Sequence, residues 1–169
     1  YIIVRIDQND DLYGKADLKD IDFKKYDAVI VSDYNKGFLT HEDIQFIAEQ
    51  HPVTFLDSKK ILGKWIEKIK YVKINDFEFD RTKHKIPKRL MNKFIITLGP
   101  DGCMHKNKKY PVPKVEIKDA SGAGDTFIAA LAVEYAKSQK IEKAILFANE
   151  CATSVVQKKG VSTCLLYTS

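Results

Sequence analysis

Four short apolar runs, rich in β-branched residues and spaced widely enough to hold helices between them, dictate the architecture of this chain. They cover residues 28–32, 53–56, 71–74 and 94–98. A strand with one wet face alternates apolar and polar residues, and these runs do not alternate. They therefore predict strands buried on both faces, the signature of a mainly parallel sheet covered by helices. Between the first two runs, Thr40 can cap a helix, with Asp43 three residues on and Ile44, Ile47 and Ala48 along one side. The unit reads as strand, helix, strand, and the fold class as α/β.

Further along, Gly99-Pro-Asp-Gly102 predicts a turn, and residues 103–110 a hairpin whose tip carries Asn107, Lys108 and Lys109. Another strand is expected over 114–118. An Ala-rich helix is expected from Gly124, then a second over 141–158, stopped by Gly160. The sequence opens within what reads as a strand, residues 1–7, with no cap or preceding turn, so an N-terminal part is expected to be missing. Residues 1–163 read as one domain, and 164–169 continue no pattern and receive no role.

At 169 residues, 44% hydrophobic and 30% charged, the composition fits a globular domain with a buried core. No stretch approaches the roughly 20 apolar residues of a membrane helix, and the first residues lack a signal-peptide pattern, so no membrane partner and a cytoplasmic location are expected. Cys103, Cys151 and Cys164 are odd in number and far apart, which predicts free thiols. The net charge of +5 comes from lysines clustered at 83–93 and 106–109. Without interleaved aromatics they read as a solvated face, with no nucleic-acid partner, that helps draw in anionic ligands.

Chemistry concentrates in Asp119-Ala-Ser-Gly-Ala-Gly-Asp125, between a predicted strand and a predicted helix. Gly122 and Gly124, flanking Ala123, let the backbone turn tightly and leave N–H groups uncovered toward an anion at the helix N-terminus. Asp125, in the first helical turn, stands where it can accept a proton from a hydroxyl attacking a bound phosphoryl group. A glycine-rich turn with an aspartate favoured only by the helix dipole is the simpler alternative.

This stretch resembles the Asp-Thr-x-Gly-Ala-Gly-Asp signature of the ribokinase, or PfkB, family of carbohydrate kinases, with Ala120 where threonine is usual. Three further segments resemble that family in the same order. Asn75-Asp-Phe-Glu78 is similar to an Asn-x-x-Glu motif that places Mg²⁺ through its waters, although alone it reads as a helix cap with a capping-box glutamate. Thr97, Gly99 and Gly102 match a turn that runs beside the nucleotide, or form a plain hairpin turn. Asn149 resembles a late-helix asparagine near the adenine, and is equally suited to buried hydrogen bonding.

Toward the front, Asp33-Tyr-Asn-Lys36-Gly37 and Asp57-Ser-Lys59 resemble the Asp-Tyr-x-Lys-Gly and Asp-Pro-Lys segments of heptose-7-phosphate kinases, with Ser58 in place of proline. Asp33, Lys36 and Lys59 are then expected to meet the acceptor or phosphate charge, unless the lysines are ordinary surface residues.

The resemblance implies the later half of a ribokinase-like three-layer sandwich. It also implies ATP and Mg²⁺ as cofactors, a sugar phosphate as acceptor, catalysis by Asp125 with Gly122, Ala123 and Gly124, and room for a homodimer. The alternatives are a family kinase for fructose phosphate, a nucleoside or a vitamer, and a nucleotide-binding module that has lost transfer. The intact Asp125 argues against the last.

Overall fold

The computed structural model of the protein describes residues 14–164, so the strand expected over 1–7 lies outside the described residues. Six strands form one sheet whose spatial order is that of the chain. They are β1 (Val29–Asp33), β2 (Thr54–Ser58), β3 (Tyr71–Asn75), β4 (Phe94–Thr97), β5 (Cys103–His105) and β6 (Lys108–Tyr110). β1 to β4 pair in parallel, and β4, β5 and β6 pair antiparallel. The predicted hairpin is the β5–β6 pair, turned by Lys106 and Asn107 at φ 49° and 63°.

Consecutive residues of the central strands enter two different cores, which explains why the runs are apolar throughout. Phe55, Ile95, Cys103 and Tyr110 face α3 (Ala123–Ser138) and α4 (Ile141–Val156), meeting Leu131, Ile145 and Cys151. Leu56, Val72, Ile74, Phe94 and Ile96 face the opposite layer, built from α1 (His41–Gln50) and short 3-10 segments that supply Ile44, Ile47, Ile66 and Leu90. Each such fully buried aliphatic side chain contributes about 1.5–3 kcal/mol of transfer free energy. The result is a three-layer α/β sandwich.

α1 begins as predicted. The Thr40 hydroxyl accepts from the Asp43 N–H at 3.1 Å and the Asp43 carboxylate accepts from the Thr40 N–H at 2.8 Å.

The strand expected over 114–118 does not form, and among the described residues the segment from 111 to 118 pairs with no strand. Pro111 and Pro113 remove two donors that a ladder needs, and the N–H groups of Lys118 and Asp119 turn instead to the Val156 carbonyl at the end of α4. α4 stops at Val156, two residues short of the expected end, with Gly160 following at φ 72°. All three cysteines are buried and none is in a disulfide; Cys164, placed in the tail of no assigned role, packs into the core with α3 and α4. Among the described residues no helix is long and apolar enough to cross a membrane.

Candidate active site

Parallel pairing brings side chains from successive strands abreast at the carboxyl ends of the sheet, the edge where such sheets hold ligands. Asp33 is in register with Ser58, Asp57 with Lys73, and Asn75 with Thr97. The Ser58 hydroxyl donates to Asp33 at 2.5 Å, and the Lys60 ammonium stands 3.2 Å from the same carboxylate. Lys73 and Asp57, both buried, form an ion pair of 2.6 Å.

Beside them, Asn75 caps α2 (Asp76–Thr82). Its carbonyl oxygen accepts from the Glu78 N–H at 2.7 Å, and the Glu78 carboxylate accepts from the Asn75 N–H at 3.4 Å. The other Glu78 oxygen takes the Lys59 ammonium at 2.5 Å. Burial pulls the Lys59 ammonium toward neutrality, but the bond to Glu78 and the charge of Asp57 outweigh it and hold its pKa above the usual lysine value.

The Gly-Ala-Gly loop reaches this edge at the head of α3. Gly122 takes a left-handed conformation, φ 76°, as N-cap, and the helical ladder begins with the Thr126 N–H donating to the Gly122 carbonyl at 2.8 Å. The N–H groups of Gly124 and Asp125 therefore precede the ladder. Asp119 pins the loop, accepting from the Ser121 N–H at 2.8 Å and the Gly160 N–H at 3.2 Å. The Ser121 bond, ahead of the others, holds its carboxyl below the usual range.

Two concavities meet here. A cleft of about 720 Å³ is lined by Asn75, Thr97, Gly99, Gly102, Ala123, Gly124 and Asn149, with Val112, Phe127 and Val156 among its apolar walls. A smaller pocket of about 150 Å³ is lined by Ser32, Asp33, Tyr34, Asp57, Lys59, Lys73, Gly124 and Asp125. Gly124 lines both.

Most of the residues singled out in the sequence thus fall on one continuous surface. Gly122 shapes the loop without lining either space, Glu78 acts through Asn75 and Lys59, and Lys36 lies exposed on the loop after β1, lining neither. Asn149 does both things open to it: it lines the large cleft and, buried, donates to the Tyr110 carbonyl at 2.9 Å. Next to it, burial pushes the Cys103 thiol up to about 12. Gly102, at φ 84°, is held against Tyr110 and Pro111, so closely that a Cβ there would strike the Tyr110 carbonyl oxygen.

Sequence reasoning passed over Lys73 and Lys60. The signal for Lys73 was a lone lysine inside an apolar strand, one parallel register away from Asp57.

Residues 7–167 match the model of the pfkB family carbohydrate kinase. The chain belongs to that family. It is 32% identical over 161 residues to the bifunctional protein HldE of a Nitratiruptor species, covering 85% of this chain and 35% of that protein. To HldE of Helicobacter acinonychis (strain Sheeba) it is 31% identical over 190 residues, covering 94% of this chain and 41% of the relative. The chain thus spans little more than a third of the length of the curated relatives it matches. Among solved structures of the family's fold, a ribokinase from Thermotoga maritima superposes with a TM-score of 0.65 at 22% identity, over 85% of this chain and 56% of that one. An Arabidopsis thaliana ribokinase complexed with ribose and ATP gives 0.65 at 20% identity, over 82% and 52%. These likenesses establish the ribokinase-like α/β fold.

Proposed function

We propose that the complete protein transfers the γ-phosphate of ATP to a hydroxyl of a sugar phosphate, with heptose 7-phosphate as the preferred acceptor, and that residues 1–163 are the C-terminal part of its kinase domain. The observation that carries this reading is the meeting of a nucleotide-sized cleft and a small polar pocket at Gly124. Its volume of about 720 Å³ suits a cofactor site. A phosphoryl group lodged at the head of α3 would face the nucleotide on one side and Asp125 on the other.

In this reading Asp125 accepts the proton of the acceptor hydroxyl as its oxygen bonds to the γ-phosphorus, and the bond from that phosphorus to the bridging oxygen of ADP breaks. The electron pair leaves with ADP. The backbone of residues 121–124 holds the charge that spreads over the moving group. Thr97, Gly99, Gly102 and Asn149 shape the nucleotide side. Asp33 orients the acceptor, and Lys36 and Lys59 offer charge to its phosphate.

The fit of Mg²⁺ to these residues is limited to its outer shell. Asn75 is a neutral donor, Glu78 is already paired with Lys59, and among the described residues no group of three acidic, histidine or cysteine side chains could hold an ion directly. Asn75 and Glu78 can accept from metal-bound waters, and Mg²⁺ held so would neutralise charge on the nucleotide phosphates.

Heptose 7-phosphate is favoured by the Asp33 to Gly37 and Asp57 to Lys59 segments and by the likeness to HldE proteins. A panel of acceptors compared by kcat/KM tests it, with heptose 7-phosphate expected ahead of fructose 6-phosphate and ribose. A nucleoside or ribose in first place would overturn the acceptor, and ADP release that no acceptor raises above its rate in water would overturn the kinase.

A further inference from the structure

The kinase reading leaves a deeply buried cation of the site without a task. Lys73 lies in the middle of β3 and is only 7% exposed, at a position whose flanking residues, Val72 and Ile74, are core. Its ammonium meets Asp57 at 2.6 Å, and the second Asp57 oxygen, also buried, has no hydrogen-bond partner among the described residues. Removing two charges from water is costly, and a buried pair of this kind is often no more stabilising than apolar residues of the same size. Stability therefore does not account for it.

Position does. A Cβ placed on Gly124 would lie 2.8 Å from the Lys73 ammonium. The cation stands directly against the glycine that separates the two concavities, and Lys73, Asp57, Gly124 and Asp125 line the same small pocket. Asp57 accepts one of the three ammonium hydrogens, which leaves others for a second acceptor. The remaining cation of the pocket is differently placed: the Lys59 side chain is 41% exposed and committed to Glu78.

We infer that Lys73, positioned by Asp57, contacts the phosphoryl group lodged at Gly124 and supplies positive charge as that group moves between nucleotide and acceptor, an inference that rests on the kinase reading of the same site. The ligand class is a tetrahedral phosphate anion. Asp57 keeps the ammonium in one place and balances it while no anion is bound. Gly124, whose backbone is helical, leaves room for this ammonium, because a Cβ there would lie so close that the ammonium would have to shift. Asp125 repels the same phosphoryl group, so a fixed cation in the same pocket offsets the base that the reaction needs.

The test uses the complete protein with two uncharged replacements of the pair, D57L/K73M and D57N/K73Q, beside K73R. The double variants remove both charges together, so neither leaves a lone buried ion, and the second keeps a hydrogen bond if the first does not fold. The expected result is a fall in kcat of roughly 10²–10³-fold with KM for ATP changed less than about threefold, and partial recovery in K73R. Inorganic phosphate titrated calorimetrically into the ADP-loaded protein should bind about tenfold more weakly to the double variants, on the order of one lost charged contact. A folded double variant with kcat within about threefold of the parent and unchanged phosphate affinity overturns the role of Lys73 while leaving the kinase intact, since charged contacts to a transferring group are worth far more. A parent protein that binds phosphate through Lys73 but turns over no acceptor overturns the kinase reading, and with it the role of Lys73 in transfer, and leaves only the phosphate contact standing.

Discussion

The large cleft is walled mostly by turns, apolar side chains and backbone, whereas the small pocket beside it is walled mainly by charges held in pairs. On the first side Gly99, Gly102, Val112 and Val156 offer shape, beside three charged residues, Asp76, Asp101 and Lys114. On the second, Asp33 is tied to Ser58 and Lys60, Asp57 to Lys73, and Glu78 to Lys59. A wall of the first kind tolerates many sequences provided the backbone keeps its path. A wall of the second kind depends on particular side chains, because an ion left alone in it is costly. Chemistry and acceptor choice should therefore break at single atoms, and nucleotide binding should break at the backbone.

Replacing Asp125 with asparagine is the most severe test of that division. The amide keeps the size but cannot take the hydroxyl proton, so kcat should drop by about 10²–10⁴-fold while ATP affinity, measured by calorimetry, stays nearly unchanged. A variant retaining more than about a third of the parental kcat would remove Asp125 from its role as base.

Gly102→Ala attacks the other side. The left-handed backbone and the Tyr110 carbonyl both reject a Cβ, so a loss of roughly 2–3 kcal/mol in chemical unfolding is expected, with a raised KM for ATP and a kcat that changes much less. Equal losses in KM and kcat would mean that the two walls are not separable.

Glu78→Ala probes the seam. It removes one arm of the α2 capping box and the partner of Lys59, an exposed contact, so about 1 kcal/mol of stability should go, together with a stronger response of the acceptor KM to added salt, because Lys59 loses the carboxylate that neutralised it.

The smallest expected effect is in the hairpin behind the large cleft. Burial, more than the neighbouring Lys106, lowers the His105 pKa below its usual 6.5, against the raising influence of the Phe94 carbonyl, which it meets at 2.8 Å, and of Glu142. A depressed histidine stays neutral in the folded chain, so the unfolded chain takes up the proton first. Stability should be fully present above pH 6.5 and decline as pH falls below it toward the folded value. Urea midpoints taken across that range, in the parent and in His105→Gln, check this. A parental midpoint that does not move would show that His105 is not the group responsible.

Much of this architecture can be read from the residues, and what cannot follows a pattern. The apolar runs at 28–32, 53–56, 71–74 and 94–98 fall within a residue or two of β1 to β4, because burial on both faces leaves an unbroken apolar run. The α1 cap is legible in Thr40 and Asp43 because capping is local. The stretch 114–118 misleads because its apolar residues suggest a strand, while the prolines that deny it a ladder lie upstream at 111 and 113. Asn75 shows how two readings coincide: it is a helix cap and it lines the large cleft. Lys73 is invisible for a different reason. Its partner is 16 residues away, and only the register of two parallel strands puts them side by side.

The strand order of the sheet, identical to the order along the chain, bears on how the site comes into being. Among the described strands none has to be threaded between two others, so their assembly can proceed by accretion at one growing edge, with the entropic cost of closure met one connection at a time. As a chain is synthesised from its N-terminus, Asp33 can meet Ser58 before Asp57 meets Lys73, and both pairs can precede the approach of Asn75 to Thr97. The glycine loop comes last, when α3 folds back over β1 and β2. The charged floor is then laid before the lid of backbone N–H groups that it serves, and errors in either step are exposed separately.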